Sequence, residues 1–440
     1  MSRTSPASLP SRPSPRRARR LLVGLAIAAT MTAGAVLPAQ ASENGQWWYE
    51  LYGVPAAHAD GWTGEGVKVA VIDAAINPDL PVFEGADLTV DETPVCLDKP
   101  VVSADFSHDA NHGSTITALL IGNGEGGGAI RGIAPDASVT FYGWGVGAFD
   151  GEDACPLPAE VEERGLTGGG WALERAMADG AEIVTTSIAS SSFSAADEEV
   201  IAQAIARGVV FVSAISNDAA GDPLANFPSA FNGVVTVNAF DVDGNLQTDA
   251  QGTPVIDNEV TVVAAGVDID TVGTATGGWA DTIPVTGSSL SAPIVAGMLA
   301  VTSQKYPEAG GNQLIQSLIH NTWADDHELE YDPTGGFGYG AASLGHLLRV
   351  DPAQYPDENP IMDRRFGGPS LDQIAQYSSE APAATPSADP SAPTADEDAP
   401  GWVVPVVIGA VVLLIVIVGA VILTIVLVRR SKKNPNGGTP

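Results

Sequence analysis

Short apolar segments alternate with longer helical patterns from about residue 42 to residue 350. The short segments are apolar at consecutive positions, which is typical of strands covered on both faces of a sheet. We predict strands over residues 67–72, 138–142, 182–187, 209–214, 233–239 and 260–264, and helices over residues 115–121, 171–178, 195–207 and 289–305. This alternation predicts an α/β fold of three layers, with a mostly parallel sheet between two layers of helices.

Two glycine-rich segments interrupt the pattern, at residues 122–128 and at Gly168 to Gly170. Glycine allows backbone conformations that other residues avoid, so both segments predict flexible turns. Neither has the spacing of a phosphate-binding loop. In the second segment the backbone could come close to a ligand, and Gly169 is therefore a candidate substrate contact.

The two ends of the chain predict export and membrane anchoring. Residues 1–41 contain a basic segment, an apolar run and the small-residue sequence Ala39-Gln40-Ala41, which together are typical of a cleaved signal peptide. Residues 402–428 contain no charged residue, and about 20 apolar residues are enough to cross a bilayer. A buried core helix is the alternative, but the length and the basic residues that follow favour a transmembrane helix with residues 429–440 in the cytoplasm.

The chain is strongly acidic, with 53 Asp and Glu against 20 Lys and Arg and a formal net charge of -33. Many of the basic residues lie in the two ends, so the exported region is more acidic still. This charge disfavours nucleic acid and anionic lipid as partners. It is compatible with basic substrates, although a solvated acidic surface is the simpler interpretation. No segment has the ligand spacing of a calcium site, and we predict neither a metal nor another cofactor.

Cys96 and Cys155 are the only cysteines, and both lie in the region predicted to be exported. Disulfides persist outside the cell, so we expect these two residues to be bonded to each other. Closing a loop of about 60 residues would stabilise the fold by roughly 3–4 kcal/mol in the chain-entropy account. Two free buried thiols are the alternative.

Four polar residues stand where predicted strands end or predicted helices begin. Asp73 follows the first strand and Asn217 follows the fourth. His112 and Ser289 stand at the starts of helices. Because the carboxyl ends of parallel strands meet at one edge of a sheet, we expect these side chains to lie together. Taken singly, each residue has a plainer interpretation as a turn, a helix cap or a surface side chain.

Together these residue types supply the parts of a nucleophilic site. A serine that attacks a carbonyl carbon needs a base to take its proton and a carboxylate to orient that base. It also needs hydrogen-bond donors for the oxyanion that forms. The predicted roles are nucleophile for Ser289, base for His112, orienting carboxylate for Asp73 and oxyanion donor for Asn217. Pro293 fits the helix that begins at Ser289 only if it lies in the first turn.

The motifs around these residues resemble those of the subtilisin-like serine proteases. The segment from Gly287 to Gly297, GSSLSAPIVAG, is similar to the family pattern Gly-Thr-Ser-Met-Ala-x-Pro-x-Val-Ala-Gly. His112-Gly113-Ser114, the segment GIAPDA at residues 132–137 and the strand that ends at Asp73 match further family motifs in the family's order. The resemblance covers about residues 47–350 and implies a subtilisin-like fold and a serine endopeptidase that acts on proteins or peptides.

The resemblance also implies a substrate-binding segment at Ser187, Ile188 and Ala189, where Ala189 replaces the glycine that the family often has. Two further departures lie beside the candidate catalytic residues. Ala74 and Ala75 replace the family's Ser or Thr and Gly after the aspartate, and Ser216 replaces the glycine before the oxyanion asparagine. A side chain at that last position would strain a backbone that needs positive φ. These departures motivate the alternative of a catalytically weak or inactive subtilase that serves as a structural subunit of a membrane secretion complex.

The order of segments along the chain resembles the mycosins, which are membrane-anchored subtilases of type VII secretion systems. The predicted segments are a signal peptide (1–41), a peptidase domain with an N-terminal arm (42–366), an acidic stalk rich in Pro, Ala and Ser (367–400), a transmembrane helix (402–428) and a short basic tail (429–440). This resemblance implies a single-pass protein of the cell membrane with an outward catalytic domain and a secretion complex as partner. A cell-surface degradative protease without a role in secretion is the alternative.

Overall fold

The computed structural model describes residues 45–97, 99–144, 156–190, 193–218, 226–332 and 336–378. The strands of its main sheet are β1 (Lys68–Asp73), β2 (Leu88–Asp91), β3 (Ser138–Gly143), β4 (Ile183–Thr186), β5 (Val210–Ala214), β6 (Val235–Phe240) and β7 (Val262–Ala265). They are parallel throughout, in the order β2-β3-β1-β4-β5-β6-β7. The predicted α/β fold with a mostly parallel sheet is therefore confirmed. Two short strands, β8 (Ile269–Asp270) and β9 (Pro284–Val285), form a separate antiparallel pair.

The helices surround the main sheet. Within the described residues they are α1 (Trp47–Leu51), α2 (Val54–Ala59), α3 (His108–Ile121), α4 (Ala159–Arg164), α5 (Gly168–Ala178), α6 (Ala195–Ala206), α7 (Ser288–Lys305), α8 (Gly311–His320), α9 (Leu344–Leu347) and α10 (Leu371–Ser378). Short 3₁₀ turns occur at Pro81–Phe83, Gly127–Ala129 and Pro352–Gln354.

Side chains of the strands point alternately into two hydrophobic cores. In β1, Val69 and Val71 belong to the first core, whereas Ala70 and Ile72 belong to the second, and all of them are buried. Helices α3 and α7 cover the first core, and helices α5 and α6 cover the second. The strands are therefore covered on both faces, which explains why their apolar residues occupy consecutive positions.

The N-terminal arm before β1 is an integral part of the first core. Trp48 in α1 is fully buried, and the Gln46 side chain donates to two backbone carbonyls at 2.9 Å. The buried hydroxyl of Tyr52 accepts a hydrogen bond from the Ala265 N–H at the end of β7, at 2.7 Å. Burial raises the pKa of Tyr52, so the hydroxyl stays protonated. These contacts make the arm a structural element of the domain.

The folded domain continues past the boundary predicted at residue 366. Residues 371–378 form α10, whose Ile374 packs in the second core. Gln373 Nε2 donates to Glu198 Oε1 of α6 at 2.7 Å. These residues therefore belong to the domain rather than to the stalk. The predicted signal peptide, transmembrane helix, basic tail and the rest of the stalk lie outside the described residues. Within the described residues, no helix has the length and apolar character needed to span a bilayer.

Replacing Tyr52 by Phe tests how much the arm contributes to stability. We expect Tyr52→Phe to lower the free energy of unfolding by about 1–3 kcal/mol, because the buried Ala265 N–H loses its acceptor. The measurement is the urea midpoint at an unchanged m value. Tyr377→Phe removes a hydroxyl from a partly exposed ring of α10, and we expect it to change stability by less than about 0.5 kcal/mol. Equal stability of Tyr52→Phe and the parent would rule out this contribution of the arm.

Candidate active site

Asp73 and His112 form a hydrogen-bonded pair at the carboxyl end of β1. The Asp73 side chain is fully buried, and His112 Nδ1 donates to Asp73 Oδ1 at 2.9 Å. The Ala74 N–H donates to the same oxygen at 2.8 Å. A proton held on Nδ1 by the carboxylate leaves Nε2 as the basic nitrogen of the ring. The pair therefore has the geometry of a carboxylate that orients a general base.

His112 lies inside a helix rather than before one, which corrects the prediction of a helix over residues 115–121. Helix α3 begins at His108, because the Ser107 hydroxyl accepts a hydrogen bond from the Ala110 N–H and caps the first turn. Gly113 then allows the helix to approach the chain after β1, since a Cβ at this position would overlap the Ala75 carbonyl oxygen. This close approach brings the His112 ring to Asp73.

Ser289 is the second residue of α7, and its carbonyl has an unusual partner. The condition that Pro293 must lie in the first turn is not met, because α7 begins at Ser288 and Pro293 lies within the helix. Proline has no N–H, so the Ser289 carbonyl lacks the helical donor four residues later. The Ser187 hydroxyl, which follows β4, donates to this carbonyl at 2.7 Å. Ser187 thus satisfies a backbone acceptor that the proline leaves open.

Asn217, beyond β5, is oriented by the first residue of α7. Its Oδ1 accepts the Ser288 N–H at 3.0 Å, and the Ser288 hydroxyl lies 2.9 Å from the same oxygen and 2.6 Å from the Ile215 carbonyl. With Oδ1 engaged as an acceptor, Nδ2 is the side of the amide that can donate. Asn217 Nδ2 and Ser289 Oγ both lie 3.1 Å from the point that a Cβ on Gly287 would occupy. The structure therefore places an amide donor beside the candidate nucleophile.

Ser288 is a site residue that the sequence analysis missed. Its signal was present, since it occupies the position of a threonine in the matched family segment. Only the fold shows that its N–H holds the Asn217 amide in one orientation. Ser216, by contrast, does not have the positive φ that the sequence analysis considered: among the described residues, the non-glycine positions with positive φ are Ala129, Asp268 and Trp323. The serine at this position is therefore accommodated without left-handed strain.

The predicted flexible turn at Gly168 to Gly170 is wrong, because these residues form the first turn of α5. The Thr167 hydroxyl accepts the Gly170 N–H and caps the helix. A Cβ on Gly169 would lie 2.5 Å from the Trp144 ring, and one on Gly170 would overlap the Asp197 carboxylate. Burial raises the pKa of Asp197, and hydrogen bonds from Thr167 and Ser194 oppose this shift. The glycines therefore provide space for packing, and a substrate contact at Gly169 stays a prediction.

Ile188 is buried and Ala189 is partly exposed directly after β4, and their contact with substrate stays a prediction. Cys96 is buried, whereas Cys155 lies outside the described residues, so the disulfide is also still a prediction. Asp73 Oδ2 is buried and has no hydrogen-bond partner among the described residues. Ala74, which follows it, carries no hydroxyl that could serve as a donor.

A double-mutant cycle at Ser187 and Pro293 tests the bond that holds the Ser289 carbonyl. We expect Ser187→Ala to cost about 1–3 kcal/mol of stability, because this buried carbonyl loses its donor. In a Pro293→Ala background the new N–H can form the helical bond, so the same change should cost well under half as much. Urea unfolding of the parent, both single variants and the double variant gives the coupling energy. An equal cost of Ser187→Ala in both backgrounds would contradict this account.

The sequence is similar to those of known proteases. The Subtilase family model matches residues 64–348. Alkaline elastase YaB of Bacillus sp. (strain YaB) is 31% identical over 279 residues, which cover 63% of this chain and 64% of that protein. Subtilisin BL of Lederbergia lenta is 30% identical over 278 residues, which cover 63% of this chain and 90% of that protein. The chain thus spans less than two thirds of the length of the elastase.

Solved structures agree on the fold. Fervidolysin from Fervidobacterium pennivorans, a keratinolytic enzyme related to subtilisin, superposes with a TM-score of 0.54 at 22% identity over 69% of this chain and 45% of that chain. The prenylagaramide maturation protease PagA gives a TM-score of 0.51 at 19% identity over 68% of this chain and 97% of that chain. At these identities the structural likeness supports the fold alone. Because the family model matches well over half of the sequence, the chain belongs to the Subtilase family.

Proposed function

We propose that this chain is a serine endopeptidase that cleaves peptide bonds of secreted or cell-envelope proteins. The observation that carries the proposal is the hydrogen bond between the buried Asp73 carboxylate and His112 Nδ1, at 2.9 Å. Membership of the Subtilase family and relatives named as subtilisin and alkaline elastase support the same reaction class.

In the proposed mechanism, Ser289 Oγ attacks the carbonyl carbon of the scissile bond. His112 Nε2 takes the serine proton and later gives it to the leaving amine, while Asp73 keeps the ring in the required tautomer. Asn217 Nδ2 and the Ser289 N–H, at the start of α7, donate to the oxyanion. N–H groups in the first turn of a helix have no helical acceptor, so the Ser289 N–H can serve in this way.

The place of action that we propose is the outer face of a cell membrane. Support comes from the signal-like residues 1–41 and from the uncharged residues 402–428 with basic residues directly after them. The order of these segments around a subtilase domain also supports a mycosin-like role, in which the protein processes substrates of a type VII secretion system or braces its membrane complex.

A second candidate function is that of a structural subunit with little or no activity. The observation that favours it is Asp73 Oδ2, which is buried and lacks a hydrogen-bond partner among the described residues. A carboxylate that is incompletely satisfied is held less firmly, and Ala74 offers no hydroxyl to complete its shell. The two candidates differ in whether Ser289 is activated.

Fluorophosphonate labelling of the full-length protein in detergent tests whether Ser289 is activated. We expect the parent to be labelled and Ser289→Ala to remain unlabelled, because the reagent reacts only with a serine whose proton a base can accept. Thermal unfolding of both proteins provides the control for folding. A well-folded parent that resists labelling would contradict the endopeptidase proposal and favour the structural subunit.

Kinetics of Asn217 variants test the oxyanion donor. We expect Asn217→Ala to lower kcat by about 10²–10³ with little change in KM, since the donor acts mainly in the transition state. Ser288→Ala keeps the amide and the backbone N–H that orients it, so the fall in kcat should be smaller. The measurement is peptide hydrolysis at saturating and subsaturating substrate. An unchanged kcat in Asn217→Ala would remove this residue from the mechanism.

A further inference from the structure

A second surface with distinctive chemistry lies at the end of the sheet opposite the candidate active site. Tyr339 and Gly340 run beside β7: the Tyr339 N–H donates to the Thr261 carbonyl and the Val263 N–H donates to the Gly340 carbonyl, at 2.8 and 3.0 Å. Thr261 precedes β7, so this surface adjoins the amino end of that strand. Asp73 lies at the carboxyl end of β1, and the strands are parallel. The two surfaces therefore lie at opposite ends of the parallel strands.

Aromatic side chains dominate this surface, which we call the Trp323 face and define by Trp323, Tyr331, Phe337, Tyr339 and Glu330. These residues line an open groove of about 560 Å³. Trp323 is 47% exposed and Tyr331 is 37% exposed, and the neighbouring Leu329 is 43% exposed. Exposed apolar groups that cluster in this way mark interaction surfaces.

The backbone holds the exposed tryptophan in a conformation that large residues rarely adopt. Trp323 has φ of 58°, in the left-handed region. Its N–H donates to the Ala341 carbonyl at 2.7 Å, and the Tyr331 hydroxyl donates to the Asn258 carbonyl. The Trp323 and Phe337 rings are stacked, with centroids 6.2 Å apart. Strained positions of this kind persist where surrounding contacts hold them, here close packing of the indole on Gly340, and they cluster at functional sites.

The chain segment that supplies most of the groove is acidic, whereas two arginines approach it from other segments: Arg349 Nη2 donates to the Ala324 carbonyl at 2.7 Å, and Arg364 lies near Tyr331 and Tyr339. Residues 323–332 contain five carboxylates and no Lys or Arg. Glu330 and Asp332 line the groove beside the rings, and Glu328 is exposed next to it. The faces of aromatic rings attract cations, and a carboxylate at the rim adds a direct ion pair. The groove therefore matches a guanidinium or ammonium group on an otherwise apolar or extended chain.

We propose that the Trp323 face docks an extended segment of another protein through an Arg or Lys side chain, which lies between the aromatic rings and Glu330. The segment binds at the amino edge of the sheet, so the candidate active site stays open while the partner is bound. The proposal stands independently of the proposed catalytic activity, because no catalytic residue contributes to this face.

Peptide binding to full-length protein that carries Ser289→Ala, which prevents cleavage, tests the proposal. The probe is a fluorescein-labelled peptide, Gly-Ser-Arg-Gly-Ser-Arg-Gly-Ser, and its counterpart has Gln in place of both Arg residues. Fluorescence anisotropy at physiological ionic strength gives the affinities. We expect the Arg peptide to bind at least tenfold more tightly than the Gln peptide, and Trp323→Ala to weaken its binding at least tenfold.

Charge-matched variants separate docking from general attraction to an acidic protein. Glu328→Gln with Glu330→Gln removes two charges at the face and should weaken binding at least fivefold. Glu162→Gln with Glu163→Gln removes two exposed charges from α4 and should change binding less than twofold. These surface changes also keep the test valid if Trp323→Ala unfolds the protein, which thermal unfolding will show.

Three outcomes would overturn the proposal. Equal affinity for the Arg and Gln peptides would exclude recognition of the cation. An equal effect of the two charge-matched variants would reduce the binding to nonspecific electrostatics. Binding of neutral phosphatidylcholine vesicles that is lost in Trp323→Ala, without selectivity between the peptides, would assign the face to a membrane surface instead.

Discussion

The shared direction of the seven strands is the constraint on which the candidate site depends. Because their carboxyl ends meet at one edge, Asp73 after β1 and Asn217 beyond β5 approach the start of α7, although they are distant in sequence. Helix α7 packs along β4 to β7 and carries Ser289 to the same edge. Two fully covered faces make the sheet rigid, and this rigidity holds the side chains at its edge in place.

The start of α7 links stability and chemistry through the same bonds. Pro293 removes one helical donor, and the Ser187 hydroxyl, which follows β4, takes its place on the Ser289 carbonyl. The Ser288 N–H engages Asn217 Oδ1 and thereby ties the helix to the chain beyond β5. The nucleophile and the oxyanion donor are thus held by contacts that also satisfy buried backbone groups. Loss of either hydrogen bond would lower the free energy of unfolding and would also displace the candidate catalytic groups.

The sequence predicts those parts of the molecule that depend on local patterns and fails where distant contacts decide. The central strands were predicted because they are apolar at every position, whereas β2 was missed because it is short and only partly buried. The start of α3 was predicted too late, because the helix begins with polar residues after the cap at Ser107 and its apolar pattern starts only beyond His112. The position of Pro293 within the helix was not foreseen, because its compensating donor, Ser187, lies 102 residues from Ser289. The glycines at the start of α5 were misinterpreted for the same reason, since they make room for side chains from other elements.

The surfaces at the two ends of the parallel strands help to decide whether the protein is an enzyme or a structural subunit. A structural subunit needs a docking surface, and the Trp323 face could meet that need without any catalytic residue. It has no need for a fully buried carboxylate that is hydrogen-bonded to a histidine ring, because burying a charge lowers the stability of the fold. Such a group persists where its negative charge is required, and the His112 Nδ1 proton is the group that it faces. The buried pair of Asp73 and His112 therefore argues for catalysis at the carboxyl ends of the strands. Docking at the amino ends is compatible with catalysis, because the two sites do not compete for the same surface.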